Sequence, residues 1–276
     1  MGIKISILGC GWLGLPLAKS LLSKGYEVKG STTSKSKLEV LKNVGILPFQ
    51  IQLEAHQIIG TIEEFLNETD VLIIALPPGL RKIISDSFEL SFVNKIKTLL
   101  PYIEKSGIQK VLFISSTSVY ADRFPIAEYN ETSPTNPDTE SGKQLVLVEQ
   151  LLQSNSCFKT IVIRFGGLLG DDRHPIRFLA GRTELENPEG PVNLIQSTDC
   201  IGIIEKALDF IREDTWDDTF NAVAPQHPTR KAYYQKKAQL FHLPLPTFAE
   251  DSESKGKIIS SKKVESILGY SFQKEI

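Results

Sequence analysis

The chain has 276 residues, with 31 Lys+Arg against 33 Asp+Glu, a formal net charge of −2 and 41% hydrophobic residues. This is ordinary globular composition and excludes disordered, collagen-like and low-complexity classes. The near-neutral balance leaves no basic footprint for nucleic acid and no basic run for an anionic membrane surface. Cys10, Cys157 and Cys200 are widely spaced, without a C-x-x-C, and the four histidines form no H-x-x-x-H. No metal site or disulfide framework is therefore expected, and the reading is of a soluble, cytoplasmic protein in a reducing compartment. The start of the chain lacks a basic segment and a small-residue cleavage site, and its apolar runs fall short of the ~20 residues of a membrane helix.

In chain order, the first half alternates strands and helices. Ile3–Leu8 reads as a first strand and Leu13–Lys24 as a helix stopped by Gly25. Tyr26–Gly30 reads as a second strand, Lys35–Asn43 as a short helix and Ile46–Leu53 as a third strand. Asp70–Leu76 is apolar throughout before Pro77-Pro78-Gly79, as in a strand buried on both faces of a parallel sheet. A long helix over Phe88–Lys105, a strand at Lys110–Ser115, a helix over Glu140–Ser154 and a strand at Thr160–Phe165 follow. This order implies βαβ units and an α/β fold, a doubly wound parallel Rossmann sheet. Beyond Gly166 the pattern loosens into shorter elements: a strand near Val192–Ile195, a helix from Thr198 to Ile211, a strand around Thr219–Val223 and helices from Thr229 and Lys262. The expected division is a dinucleotide-binding domain over 1–166 and a smaller, irregular substrate-binding lobe over 167–276.

The first strand runs into Gly9-Cys10-Gly11-Trp12-Leu13-Gly14 and then a helix. This G-x-G-x-x-G stands where a dinucleotide fingerprint requires it. The glycines permit the tight turn, the approach of a pyrophosphate and the close packing of helix on strand. An NAD site expects an acid at the end of the second strand, to bond the ribose 2′-hydroxyl. No acid lies between Val28 and Leu38; Ser31, Thr32, Thr33, Ser34 and Lys35 stand there instead, with Lys37 beyond. Hydroxyls and an ammonium suit a 2′-phosphate, so the expected cofactor is NADP, with NAD the alternative. Further cofactor contacts are expected at Leu76, Pro77, Pro78 and Ser115.

After the fifth strand, Ser115-Ser116-Thr117-Ser118-Val119-Tyr120-Ala121 resembles the S-S-x-x-V-Y-G of the extended short-chain dehydrogenase/reductases, the NAD-dependent epimerase/dehydratase type. Arg164 to Gly170 resembles that family's L-R-x-x-x-x-Y-G-P, and Pro191–Ile195 with Asp199 resembles its V-H-V-x-D. Arg173-His174-Pro175 with Arg177–Gly181 is similar to a narrower YeeZ-like branch. The resemblance covers nearly the whole chain. It implies a Ser that orients the substrate oxygen, for which Ser116 fits, and a Tyr acid/base whose pKa is lowered by a Lys four residues on.

That pair is not matched. The family's Y-G-x-S-K-x-x-x-E falls on Ser141-Gly142-Lys143-Gln144-Leu145 and Glu149, so Ser141 replaces Tyr and Leu145 replaces Lys. A second register keeps Lys143 but puts Thr139 in place of Tyr. In the first register Lys143 lies about 200° around the helix from Ser141. Tyr129, Asp122 and Glu131 are the candidate replacement acids, and Arg173 and His174 the candidate holders of an anionic substrate. The resulting expectation is an NADP-binding oxidoreductase-like or epimerase/dehydratase-like protein acting on a hydroxyl, carbonyl or nucleotide-linked small molecule. The alternative is a non-catalytic NADP-binding sensor. The resemblance, with the apolar surplus of Leu145, Val146, Val148, Leu151 and Leu152, implies a homodimer.

Overall fold

A computed structural model describes residues 2–79, 90–210, 216–250 and 253–276. The chain opens β1 (Lys4–Leu8), α1 (Gly14–Ser23), β2 (Glu27–Thr32), a 3-10 turn at Lys35–Lys37, α2 (Leu38–Asn43) and β3 (Leu47–Gln50). Next come β4 (Gln52–Leu53), β5 (Ile58–Ile59), α3 (Ile62–Leu66), β6 (Val71–Ile74), α4 (Ser91–Ser106) and β7 (Lys110–Ser116). Then follow β8 (Ala127–Tyr129), α5 (Glu140–Gln153), β9 (Lys159–Phe165), β10 (Gly167–Leu169), α6 (Ile176–Leu179) and β11 (Leu194–Gln196). The chain closes with α7 (Ser197–Asp209), β12 (Thr219–Ala222), α8 (Arg230–Leu240), β13 (Lys257–Ile259) and α9 (Lys262–Leu268).

The main sheet has seven strands in the order β12-β9-β7-β6-β1-β2-β3. The pairs β1·β2, β1·β6, β2·β3 and β6·β7 are parallel. Successive strands add outward to β3 on one side of β1, and from β6 onward on the other. The doubly wound α/β fold read from the alternation is thus the fold observed, with its switch of direction between β1 and β6. Every residue of β6 is buried, as its unbroken apolar run requires of a central strand.

Two expected elements differ in form. The strand read over Ile46–Leu53 is interrupted at Ile51, whose N–H bonds the Thr32 carbonyl; β4 then turns away to pair antiparallel with β5. The helix read over Lys35–Asn43 starts as a 3-10 turn and becomes α2 only at Leu38. The start of the long helix at Phe88 and the end of the Thr198–Ile211 helix at Ile211 lie outside the described residues.

The chain forms two compact units, each assembled from separate stretches. One takes Met1–Ser115, Glu140–Ile163 and Ile204–Thr219; the other takes Ser116–Thr139, Arg164–Ile203 and Phe220–Ile276. In the first, Leu17, Ala18 and Leu21 form the buried face of α1, while α4 buries Phe92, Val93, Ile96, Leu99 and Ile103. In the second, a core gathers Leu169, Ile176, Leu194, Tyr233, Tyr234 and Phe248 among others. Among the described residues no helix is long and apolar enough to cross a membrane.

Candidate active site

The turn after β1 is held by its own backbone. Gly9 has φ +108°, and a Cβ there would meet the Ala75 carbonyl oxygen at 2.8 Å. A Cβ on Gly14 would overlap the Gly9 carbonyl oxygen, so the third glycine of the motif is fixed by the closeness of α1 to the turn. Gly11 differs: a Cβ there would meet no protein atom within 4 Å. The middle glycine therefore faces open space, where a pyrophosphate needs room. Helix α1 begins without a side-chain cap and without an acid in its first turn. Its positive end is thus uncompensated and suits an anion. The residues present fit a dinucleotide.

The end of β2 divides its hydroxyls between two tasks. Ser31 is buried; its Oγ accepts the Gly9 N–H at 2.9 Å and its carbonyl accepts the Cys10 N–H at 2.7 Å. It braces the phosphate turn from beneath. Thr32 Oγ1 accepts the Ser34 N–H at 3.2 Å, closing a short hydroxyl turn. Ser34 Oγ lies 2.9 Å from Ser36 Oγ, while Thr33 and Lys35 are exposed. The exposed polar set here is thus Thr33, Lys35, Ser36 and Lys37, with Ser34 half-buried. Cys10 is buried, and burial pushes its thiol up to about 12; it is packing, not chemistry.

Leu76, Pro77 and Pro78 follow β6, whose end is tied to β1 by the Ala75 N–H on the Leu8 carbonyl at 2.9 Å. They therefore leave the sheet at the same C-terminal strand ends as the glycine turn. Ser115, at the end of β7, is buried and donates its hydroxyl to Glu149 Oε1 on α5 at 2.5 Å. That side chain is committed inside the unit. In α5 Leu145 is buried, Ser141 half-buried and Lys143 exposed. The position that would hold the family's Lys therefore packs in the core. Gln144 is buried as well, and its Oε1 accepts the Phe92 N–H at 2.9 Å, capping α4.

In the second unit, Ser116 Oγ accepts the Ser118 N–H at 3.2 Å and caps the 3-10 turn Thr117–Val119. Sequence reasoning missed the polar network beyond it. Tyr120 is fully buried, and Arg164 donates to its phenol oxygen at 2.6 Å. The phenol's single proton faces the Asn130 carbonyl at 3.0 Å and Asn221 Oδ1 at 3.3 Å. Burial raises the Tyr120 pKa against the opposing pull of Arg164, so this hydroxyl is a brace. Tyr129 is buried against it, the rings 4.9 Å apart, and its oxygen accepts from Asn136 Nδ2 at 3.3 Å. Lys257 donates to the Tyr120 carbonyl at 2.5 Å and lies 3.4 Å from Asp122. Tyr120 and Arg164 each stand in a family-like motif, and Tyr129 is a candidate acid, yet no sequence pattern links the three.

Arg173 is exposed on a tight turn closed by mutual backbone bonds with Gly170. His174 is buried. Its Nδ1 accepts the Ile176 N–H at 3.1 Å, leaving Nε2 to carry the proton toward Tyr233 Oη at 3.0 Å. Burial, then the charges of Lys237 and Arg177, pull its pKa down to about 4. A neutral, doubly bonded imidazole organises the start of α6 and offers no charge to an anion. Asp199, also buried, accepts from Tyr270 Oη at 2.8 Å and the Gln273 N–H at 2.7 Å, and so ties down the chain's last segment.

A glycine turn between β1 and α1, set beside the switch point of a doubly wound parallel sheet, defines a dinucleotide-binding α/β protein. The chain belongs to the NAD dependent epimerase/dehydratase family, whose model matches residues 5–180. It is 34% identical over 272 residues to Protein YeeZ of Escherichia coli K12, covering 98% of this chain and 96% of that one. Its fold is similar to that of a functionally unknown conserved protein from Silicibacter pomeroyi, at TM-score 0.77 and 20% identity, covering 99% of this chain and 94% of that one. It is equally similar to a UDP-glucose-4-epimerase from Stenotrophomonas maltophila solved with bound NAD and formylated UDP-arabinopyranose, at TM-score 0.77, 16% identity and the same coverage.

Proposed function

We propose that the chain is an NADP(H)-binding enzyme of the oxidoreductase or epimerase/dehydratase kind, acting on a hydroxyl or carbonyl of a small or nucleotide-linked molecule. One observation carries the reading: an open phosphate turn at Gly11 beside a β2 end that offers Thr33, Ser34 and Lys35 and no acid. The bound nucleotide would supply hydride chemistry; the protein supplies position and a proton. Gly9 to Gly14 would hold the pyrophosphate, with Trp12 and Leu13 at the helix entry, and Thr33 and Lys35 would face the 2′-phosphate. Ser31 and Thr32 shape that surface from within. Leu76, Pro77, Pro78 and the backbone at Ser115 would border the cofactor. Ser116 is the proposed orienting hydroxyl. Tyr129, at the buried end of β8, is the proposed proton source, and Ser141 has a lesser role. Arg173 would meet an anionic part of the substrate. Lys35→Ala or Thr33→Ala should narrow the preference for NADPH over NADH by up to about tenfold, the scale of one charge-assisted contact.

The second reading, a nucleotide-binding sensor, is favoured by one feature: Leu145 is buried where the family's Lys would stand. Turnover of a panel of carbonyl compounds and nucleotide sugars with NADPH or NADP separates the two. Product formation supports the enzyme; tight cofactor binding with no turnover across the panel supports the sensor.

We also propose a homodimer formed through α4 and α5. These helices pack together, yet α5 still leaves Leu147 40% exposed and Val146 and Leu151 half-buried. Light scattering at micromolar concentration should give twice the chain mass, and Leu147→Lys should shift it toward the monomer. A monomeric wild type would reject the dimer.

A further inference from the structure

The second unit contains a pocket of about 360 Å³ along α8, built from residues the dinucleotide reading does not use. This is near the lower end of the size range of small-molecule sites. Its floor is apolar, formed by Pro228, the Tyr233 ring and Ile276; its rim carries Gln226, His227, Lys236, Lys237 and Glu275. The arrangement follows from helical spacing. Tyr233 and Lys237 are one turn apart, and the Lys237 ammonium lies 5.5 Å from the Tyr233 ring centre. The ring cannot swing away, because Tyr233 Oη is held by His174 Nε2 at 3.0 Å. His227 uses Nδ1 toward the Val192 carbonyl at 3.2 Å, so its Nε2 keeps a lone pair that becomes a donor on protonation.

Lys236 and Lys237 share this rim with Glu275. Among the described residues neither Lys236 nor Lys237 makes an ion pair within 4 Å. Burial first, then the neighbouring Lys236, lowers the Lys237 pKa; Glu275 offsets this only in part. Burial lowers that of His227 too. A negative group at the rim would relieve both, while the floor accepts an apolar or aromatic body.

We propose that this pocket binds a small organic acid, an anionic head on an aromatic or aliphatic body, with the head between Lys236 and Lys237 and the body against Tyr233. The pocket shares no residue with the glycine turn, so it stands or falls independently of the cofactor reading.

Calorimetric titration of the full chain with benzoate, with phenyl phosphate and with neutral benzamide tests it. Saturable binding of either acid is expected, with benzamide at least about tenfold weaker. Lys237→Met, which keeps an apolar stem over Tyr233, should weaken the acid about tenfold. Glu275→Gln should tighten it. Lys231→Ala, on the same helix but outside the pocket, should leave it unchanged, and NADPH binding by Lys237→Met should match wild type. No saturable acid binding, equal binding of benzoate and benzamide, or an unchanged affinity in Lys237→Met would each overturn the proposal.

Discussion

Gly14→Val is expected to remove measurable dinucleotide binding and to lower the melting temperature by several degrees. A Cβ at this position overlaps the Gly9 carbonyl oxygen, and the next nearest atoms are Gly9 C at 3.1 Å and Ile7 Cγ2 at 3.5 Å. A flexible side chain could step aside; a backbone carbonyl cannot move without its turn. That turn is pinned by the Gly9 N–H on Ser31 Oγ and the Cys10 N–H on the Ser31 carbonyl. Relief of the clash therefore displaces α1, breaks the brace or does both. Overpacking of this kind costs about 1–3 kcal/mol, each kcal/mol amounting to roughly 2–4 °C in a chain of this size. Gly11→Ala is the matched control. Its Cβ meets no protein atom within 4 Å, so the fold should keep its melting temperature while nucleotide affinity falls. Thermal denaturation and titration of both variants check this. A Gly11→Ala protein as unstable as Gly14→Val would contradict the roles given to the two glycines.

Ser116→Ala should reduce turnover about 10²-fold or more, the scale of a lost positioned partner in proton transfer. The hydroxyl also accepts the Ser118 N–H, so its removal costs roughly 1 kcal/mol of local stability. Ser116→Thr keeps both the cap and a hydroxyl, and should recover most of the activity. That recovery separates a role at the substrate from loss of the cap alone. Ser141→Ala should have little effect, since no Lys stands at 145 to make that hydroxyl acidic. The double variant Ser141→Tyr with Leu145→Lys should fail as a rescue. Leu145 is 2% exposed, and a buried ammonium without a partner costs several kcal/mol. Steady-state kinetics and melting curves on this set are the check. Lost activity in Ser141→Ala with Ser116→Ala unaffected would overturn the assignment.

Period and punctuation made much of the first unit readable. The β-branched run before Gly9, the Leu17/Leu21 face of α1 and the unbroken apolar β6 each have a single physical interpretation, and together they require a parallel sheet. The break at Ile51 was not readable, because one backbone bond to Thr32 ends the strand and an apolar run does not record it. The β2 hydroxyls looked alike in sequence. Only tertiary position separates Ser31, beneath Gly9, from the exposed Thr33. His174 and Arg173 looked like a basic pair, yet burial turns His174 neutral and Arg173 faces outward. The Tyr120–Arg164 network escaped notice because its members are 44 residues apart along the chain.

Calorimetric titration of the wild-type chain with NADPH and with NADH at matched ionic strength tests the central claim most directly. The acid-free end of β2 and the open turn at Gly11 predict saturable binding of both, with NADPH the tighter. Tighter binding of NADH, or binding of neither, would contradict it.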